Sequence, residues 1–250
     1  MTNIFDAINK NDVIQLKKAI EEGDDVNKAN NNGFTPLYVA AEKGHLEVVQ
    51  HLLAQGGIDV NAADNKYGAT PLLVAARNGH SEIVQHLLAQ GGIDVNKANE
   101  FGVTPLYVAA YKGYSEVVKH LLAQGGIDVN RAMNGGATPL YVAAQNGHLD
   151  VVEYLVEKEG IDVNRADNDG FTPLYIAAQN GHSKVVKHLV EKEGIDVNRA
   201  DNDGSTPLYI AARNGHLEVV QHLLAQEGIE VDKARDNGLT HYMLLHKKIM

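Results

Sequence analysis

The sequence predicts an all-α repeat fold, a solenoid of helix-turn-helix units with projecting hairpin-like loops, built by copying one unit along almost the whole chain. Three observations carry this reading. Thr-Pro-Leu occurs six times, at Thr35, Thr70, Thr104, Thr138, Thr172 and Thr206, with spacings of 35, 34, 34, 34 and 34 residues. Gly falls at matching places in every copy, and between these glycines the apolar residues recur at helical spacing. A fixed period of this size marks supersecondary units that cannot bury an apolar face alone and pack only on their neighbours.

The stretch from Gly33 to Asn61 serves as the specimen unit. The Thr35 hydroxyl is suited to accept from a free N–H of a first helical turn, and Pro36 to the first helical position, where its missing N–H is not needed. Leu37, Ala40 and Ala41 follow at i, i+3 and i+4, the alanines leaving room for a neighbouring helix to approach. Gly44 ends this helix because it adopts a left-handed backbone without a Cβ penalty. His45 opens a second helix whose apolar face is Leu46, Val49, Leu52 and Leu53, with Glu47, Gln50 and His51 outward. Gly56 and Gly57 stop it, Ile58 to Asn61 reads as a short extended and half-buried segment, and the next glycine-containing tip turns the chain back. Helices of roughly eight residues are unstable alone, so the units must fold through their interfaces. With helices about 8–10 Å apart, six full units and two partial ends predict a curved body about 70 Å long with an extended groove.

The pattern Gly-x-Thr-Pro-Leu-Tyr-Val-Ala-Ala-x-x-Gly-His-x-x-Val-Val-x-x-Leu, closing on Asp-Val-Asn, resembles the ankyrin repeat. The resemblance covers nearly the entire chain. It implies an ankyrin-repeat solenoid and a protein-binding surface made of loop tips and inner helices. Three departures stand out. Where the family usually has His after Thr-Pro-Leu, this chain has Tyr38, Tyr107, Tyr141, Tyr175, Tyr209 or Leu73, so a phenol takes over that hydrogen-bonding place. The loop Gly56-Gly57-Ile58 is one residue longer than usual, giving a period of 34 residues against about 33. The tip Asn65-Lys66-Tyr67-Gly68 has one extra residue, which predicts that Tyr67 protrudes or bulges.

Domain boundaries follow from the repeats: one array over 1–250, with an N-terminal cap at 1–26, six repeats at 27–239 and a partial C-terminal cap at 240–250. Ile4 to Ile20 keeps two helical stretches without Thr-Pro-Leu and is more polar, as a cap requires. Thr240-His241-Tyr242 replaces the motif near the other end, where Lys247 and Lys248 suit a helix's negative C-terminus. A native half-repeat cap and a fragment of a longer protein both fit that end.

Composition narrows the function classes. With no Cys, disulfides, thiol catalysis and thiolate metal sites are excluded, and nothing demands an oxidising compartment. The first residues form no secretory signal, and the longest apolar stretch, Pro71 to Ala76, is far too short to span a bilayer. A cytoplasmic chain away from membranes is therefore expected, with secretion by a signal-independent route as the alternative. A net charge of −10 argues against nucleic acid, whose phosphates need Lys and Arg, and steers a basic partner favourably.

Shared residues offer no catalytic constellation. His45 and His51 lie six apart, about 240° around a helix, and so share no face. The column His51, His86, His120, His188 and His222 steps about 10 Å per copy, too far for one zinc with bonds of about 2 Å. The first histidine of each pair is expected to cap a helix or bond a neighbouring loop, and the second to be a solvated convex residue. Asp167-Asn168-Asp169-Gly170 suggests a calcium loop, but aligning its glycine puts Arg165 at the first ligand position and Ile176 where a bidentate Glu is required. Its Asp and Asn are turn formers. No phosphate loop, His-Glu-x-x-His pair or Gly-x-Ser-x-Gly elbow occurs. No cofactor, metal or enzyme activity is therefore expected.

Function should then reside in differences between copies. The variable positions are the tip before each Thr and the two residues before each first-helix glycine. The third copy alone has Phe101 at its tip, Tyr111 where others have Glu, Arg or Gln, and Tyr114 where others have His. With Tyr67, Arg77 and Val103 these residues are the expected partner-binding surface, because aromatic residues and Arg dominate binding hot spots. Two alternatives are that Phe101 folds onto its own hairpin and that Tyr114 merely replaces a histidine. Phe34 and Phe171 are expected to pack between adjacent hairpins. Leu155 to Gly170 repeats identically as Leu189 to Gly204, and His51 to Asn61 recurs twice more, which indicates recent duplication or a consensus-like array. The leading expectation is a monomeric, non-enzymatic scaffold binding a protein, basic in character, through its concave face and tips. The alternatives are the recognition module of a larger effector or regulated enzyme, and a spacer array without a specific partner.

Overall fold

A computed structural model describes residues 3–232 of the chain; the expected cap at 240–250, with Lys247 and Lys248, lies outside them. All regular elements of the described residues are helices, fourteen in number. The chain divides into two compact units, Met1–Asp128 and Val129–Met250.

In the first unit the helices are α1 (Ile4–Asn9), α2 (Val13–Glu21), α3 (Pro36–Lys43), α4 (Leu46–Leu53), α5 (Pro71–Arg77), α6 (Ser81–Leu88), α7 (Pro105–Lys112) and α8 (Ser115–Leu122). First helices pack in sequence, α1 on α3, α3 on α5 and α5 on α7, and second helices likewise, α2 through α8. The threonine caps form as predicted, Thr35 Oγ1 accepting from Tyr38 N at 3.2 Å and Thr104 Oγ1 from Tyr107 N at 3.1 Å. Leu37, Ala40, Ala41, Val49 and Leu52 are fully buried, as are their counterparts Leu72, Ala75, Ala76, Val84 and Leu87. In the second unit α9 (Pro139–Gln145), α11 (Pro173–Gln179) and α13 (Pro207–Asn214) form the first-helix row and α10 (Leu149–Val156), α12 (Ser183–Val190) and α14 (Leu217–Leu224) the second.

Two devices join successive repeats. An asparagine closing each unit reaches into the next loop with both ends of its amide. Asn61 donates to Gly92 O at 2.7 Å and accepts from Asp94 N at 2.9 Å. Asn164 does the same with Gly194 O at 2.6 Å and Asp196 N at 2.9 Å. This explains why Ile58 to Asn61 forms no strand and passes into a turn at Val60 and Asn61: backbone groups of this loop bond to a preceding side chain, Asn27, in place of a ladder strand. The second device is the first-helix glycine. Gly44 has φ +78° and a Cβ there would stand 2.6 Å from the His80 ring, so both its backbone and its neighbour require glycine.

That contact selects among the roles expected of the first histidines. None of those preceding a second helix makes a side-chain cap bond. Instead His80 Nε2 meets Glu42 O at 3.1 Å, and His182 and His216 reach Gln145 O and Gln179 O at 2.9 and 3.0 Å, in the preceding repeat. The second histidines are half-buried rather than fully solvated, and His86 meets Gln50 at 2.8 Å. Burial holds His45 and His51 below the usual imidazole range.

Replacing Asn164 with alanine removes two inter-repeat hydrogen bonds, and urea unfolding should show a loss of about 1–2 kcal/mol. Hydrogen exchange should place the opening at the Asp196 amide, while amides of α9 keep their protection, because repeat interfaces act locally.

Candidate partner-binding surface

The tips that begin at Asn30, Asp64, Asn99, Asp167 and Asp201 are each built on that one side chain. In the first, Asn30 Oδ1 accepts from Asn32 N at 2.9 Å and Phe34 N at 3.1 Å, and Asn30 N closes the turn on Phe34 O at 2.9 Å. The second tip begins instead with Asp64, whose carboxylate is buried. Its Oδ1 accepts from Lys66 N and Tyr67 N, and its Oδ2 from Ala69 N, each at 2.8 Å. Closure runs from Asp64 N to Ala69 O at 2.9 Å, so the turn is one residue wider than its neighbours. The extra residue places Tyr67 at the apex, 42 % exposed.

Tyr67 meets the third tip. Its carbonyl accepts from Glu100 N at 2.9 Å, and its ring lies 6.2 Å from that of Phe101, tilted by 39°. Phe101, 51 % exposed, therefore leans on the preceding tip, not on its own hairpin. Lys66 Nζ stands 4.8 Å from the Tyr67 ring centre. At the far end of α7, Tyr111 is 45 % exposed, with Lys112 Nζ 5.6 Å from its ring centre.

Between these ends lies a residue that sequence reasoning passed over. Tyr107 is half-buried, whereas Tyr38, Tyr141, Tyr175 and Tyr209 are 2–5 % exposed. It precedes Tyr111 by one helical turn, and burial, with the Tyr111 phenol beside it, pushes its pKa up to about 12. No change of residue type marks it in the sequence, since it holds the same place as the other first-helix tyrosines. At one of those, Tyr175 Oη donates to Asp201 Oδ2 at 2.7 Å, a phenolic bond at the place of the family histidine.

Of the other expected site residues, Arg77 and Tyr114 have inter-repeat partners. Arg77 Nη2 donates to Glu42 Oε1 at 3.0 Å and also partners the Tyr38 phenol. Tyr114 is half-buried and lies over Gly79, where a Cβ would stand 3.1 Å from its ring, the place His80 takes over Gly44. Val103, also half-buried, holds the position of Phe34 and Phe171. Those two phenylalanines stack within their own repeats, Phe34 on Tyr38 at 4.7 Å and Phe171 on Tyr175 at 4.8 Å, and not between adjacent hairpins. Their near-parallel rings, 5° and 6° apart, are favoured by the first-helix tyrosine one turn below the tip.

Among the described residues no three His, Asp or Glu side chains converge on a metal-binding geometry, and no helix is long and apolar enough to cross a membrane. A family model of ankyrin repeats in three copies matches residues 4–99, 82–167 and 164–235. The chain belongs to the ankyrin repeat family. No curated protein sequence matches it at the level that marks a relative. Ankyrin repeats generally mediate protein–protein interaction and are typically non-enzymatic.

Burial, then the charges of Glu42 and Asp64, likewise push Tyr38 up to about 12 from 10. In a spectrophotometric titration Tyr38 and Tyr107 should therefore ionise near pH 12, above the ordinary phenol value of 10. The unfolded chain loses these phenolic protons first, so their contribution to stability is complete below pH 10 and falls away as pH rises through about 12. Tyr107→Phe should remove one late-titrating phenol and flatten that decline.

Proposed function

We propose that this ankyrin-repeat chain is a monomeric, non-enzymatic cytoplasmic scaffold that binds a protein partner through loop tips and first helices. In this reading residues 27–239 form the recognition array, and 1–26 and 240–250 cap it. The contact surface comprises Tyr67, Arg77, Phe101, Val103, Tyr111 and Tyr114, with Tyr107 added between the tip and the end of α7.

The observation that carries the reading is the exposed Tyr67–Phe101 pair at 6.2 Å. It joins two adjacent tips through the only position where a tip contains an extra residue. Large exposed aromatics are the side chains most often responsible for binding energy when a partner covers them. Arg77 and Tyr114 support the surface from inter-repeat seams, so their loss should reduce stability as well as binding. The net charge of −10 favours a partner that is basic overall, a long-range attraction damped beyond about 8 Å at physiological salt.

Affinity capture from the native host followed by mass spectrometry tests the reading. The Phe101→Ala, Tyr111→Ala double variant should retain its thermal unfolding midpoint and lose about tenfold to a hundredfold in affinity for the captured partner. Unchanged capture of every protein by that variant would remove this surface from consideration.

A further inference from the structure

The charges beside the aromatic strip differ in sign from the chain as a whole. At the tips and first-helix ends of the first three repeats, Lys43, Lys66 and Lys112 are exposed cations. Arg77 is paired with Glu42 at 3.0 Å. Asp64 is buried beneath its turn and accepts three backbone N–H bonds at 2.8 Å. Glu100 is the exposed carboxylate of this set. A chain with 32 acidic and 22 basic residues thus presents a locally cationic frame around its exposed aromatic residues.

The placement of two of those cations bears on what they meet. Lys66 and Lys112 lie over the very rings that are exposed, 4.8 Å from Tyr67 and 5.6 Å from Tyr111. A group seated on either ring comes within reach of an ammonium. Exposed cation–π contacts are worth only about 0.5–1 kcal/mol, so a carboxylate can draw the ammonium away at small cost. A basic segment would bring like charges together as both were desolvated, and like-charge juxtaposition at an interface suppresses binding. Single-stranded nucleic acid also favours aromatic rings beside lysines, but three exposed lysines neutralise few phosphates.

We infer that the strip receives an acidic peptide segment of a protein partner, its carboxylates bridging to Lys66 and Lys112 and an aromatic or large aliphatic side chain seated on Tyr67 and Phe101. Tyr107 and Tyr111 continue the apolar track along α7. This inference rests on the surface reading above and specifies its contact chemistry. It also separates the segment in contact, which is acidic, from the partner as a whole, on which long-range attraction acts.

The test is panning of a random linear-peptide display library against the full chain, followed by fluorescence anisotropy of the enriched peptides. Enrichment of peptides with Asp or Glu beside Phe, Tyr, Trp or Leu is expected, with affinity falling as salt rises. Lys66→Met with Lys112→Met should weaken binding by about tenfold, two exposed charge pairs together, and Phe101→Ala with Tyr111→Ala should weaken it at least as much. Circular dichroism melts confirm that both variants fold. Enrichment of basic peptides that still depend on Phe101 and Tyr111 would overturn the acidic-segment inference while leaving the surface intact. Enriched peptides indifferent to Phe101 and Tyr111 would sink both. No enrichment, or tighter binding of a single-stranded oligothymidine probe than of any peptide, would also overturn it.

Discussion

The stack depends on one side chain per repeat, an asparagine amide that replaces a strand ladder. Helices of six to nine residues do not persist alone, and apolar packing between them is non-directional. What sets the relative register of successive loops within each unit is the amide of Asn27, Asn61 and Asn96 in the first and Asn130, Asn164 and Asn198 in the second. Each donates to a glycine carbonyl and accepts the N–H two residues further on, so one donor and one acceptor of the next loop are satisfied together. No shorter or charged side chain offers both roles at that reach. The histidine or tyrosine lying over the preceding glycine adds a second, bulkier key to the same register.

Such a uniform joint leaves variation to the tips, and the second tip shows how an insertion is tolerated. A turn one residue longer presents an additional N–H near a buried position. Asp64 accepts it because a carboxylate has two oxygens, whereas the amide oxygens of Asn30 and Asn99 each accept two N–H groups. The consequence reaches the helices. In the sixth repeat's tip the spare oxygen of Asp201 takes the Tyr175 phenol; the corresponding oxygen of Asp64 is occupied by Ala69 N, and Tyr38 finds Arg77 instead. One inserted residue therefore raises Tyr67 toward Phe101, while Arg77 bonds Glu42 and the Tyr38 phenol.

Much of this architecture is legible in the sequence because its signals are local. Thr-Pro at helix starts, glycine at positive φ and apolar spacing act within a few residues, and the helices follow them closely, as α3 from Pro36 to Lys43 illustrates. The exposure of Tyr67, Phe101 and Tyr111 was equally readable, since each departs from its repeat consensus. Tyr107 was not, because it occupies a consensus position and its difference lies in what surrounds it. Phe34, Phe171 and the second histidines depart from expectation for a related reason: several partners lie within reach of one ring, and only three-dimensional placement selects among them. Tyr114 illustrates the same ambiguity, being at once a departure from consensus and an occupant of the histidine's place over Gly79.

Charge is where sequence-level bookkeeping and local geometry part company. A net charge of −10 is a sum over 250 residues, yet ions damp the field of each exposed charge within about 8 Å. At a surface spanning two repeats the relevant sum runs over the handful of side chains within that distance. Carboxylates already engaged weigh less in it: Glu42 is neutralised by Arg77, and Asp64 is surrounded by N–H dipoles. The lysines on the aromatic faces weigh more, since covering those rings removes the water that screens them. Overall acidity thus governs how the chain repels or attracts at a distance, while Lys66 and Lys112 govern what can remain in contact with Tyr67 and Tyr111.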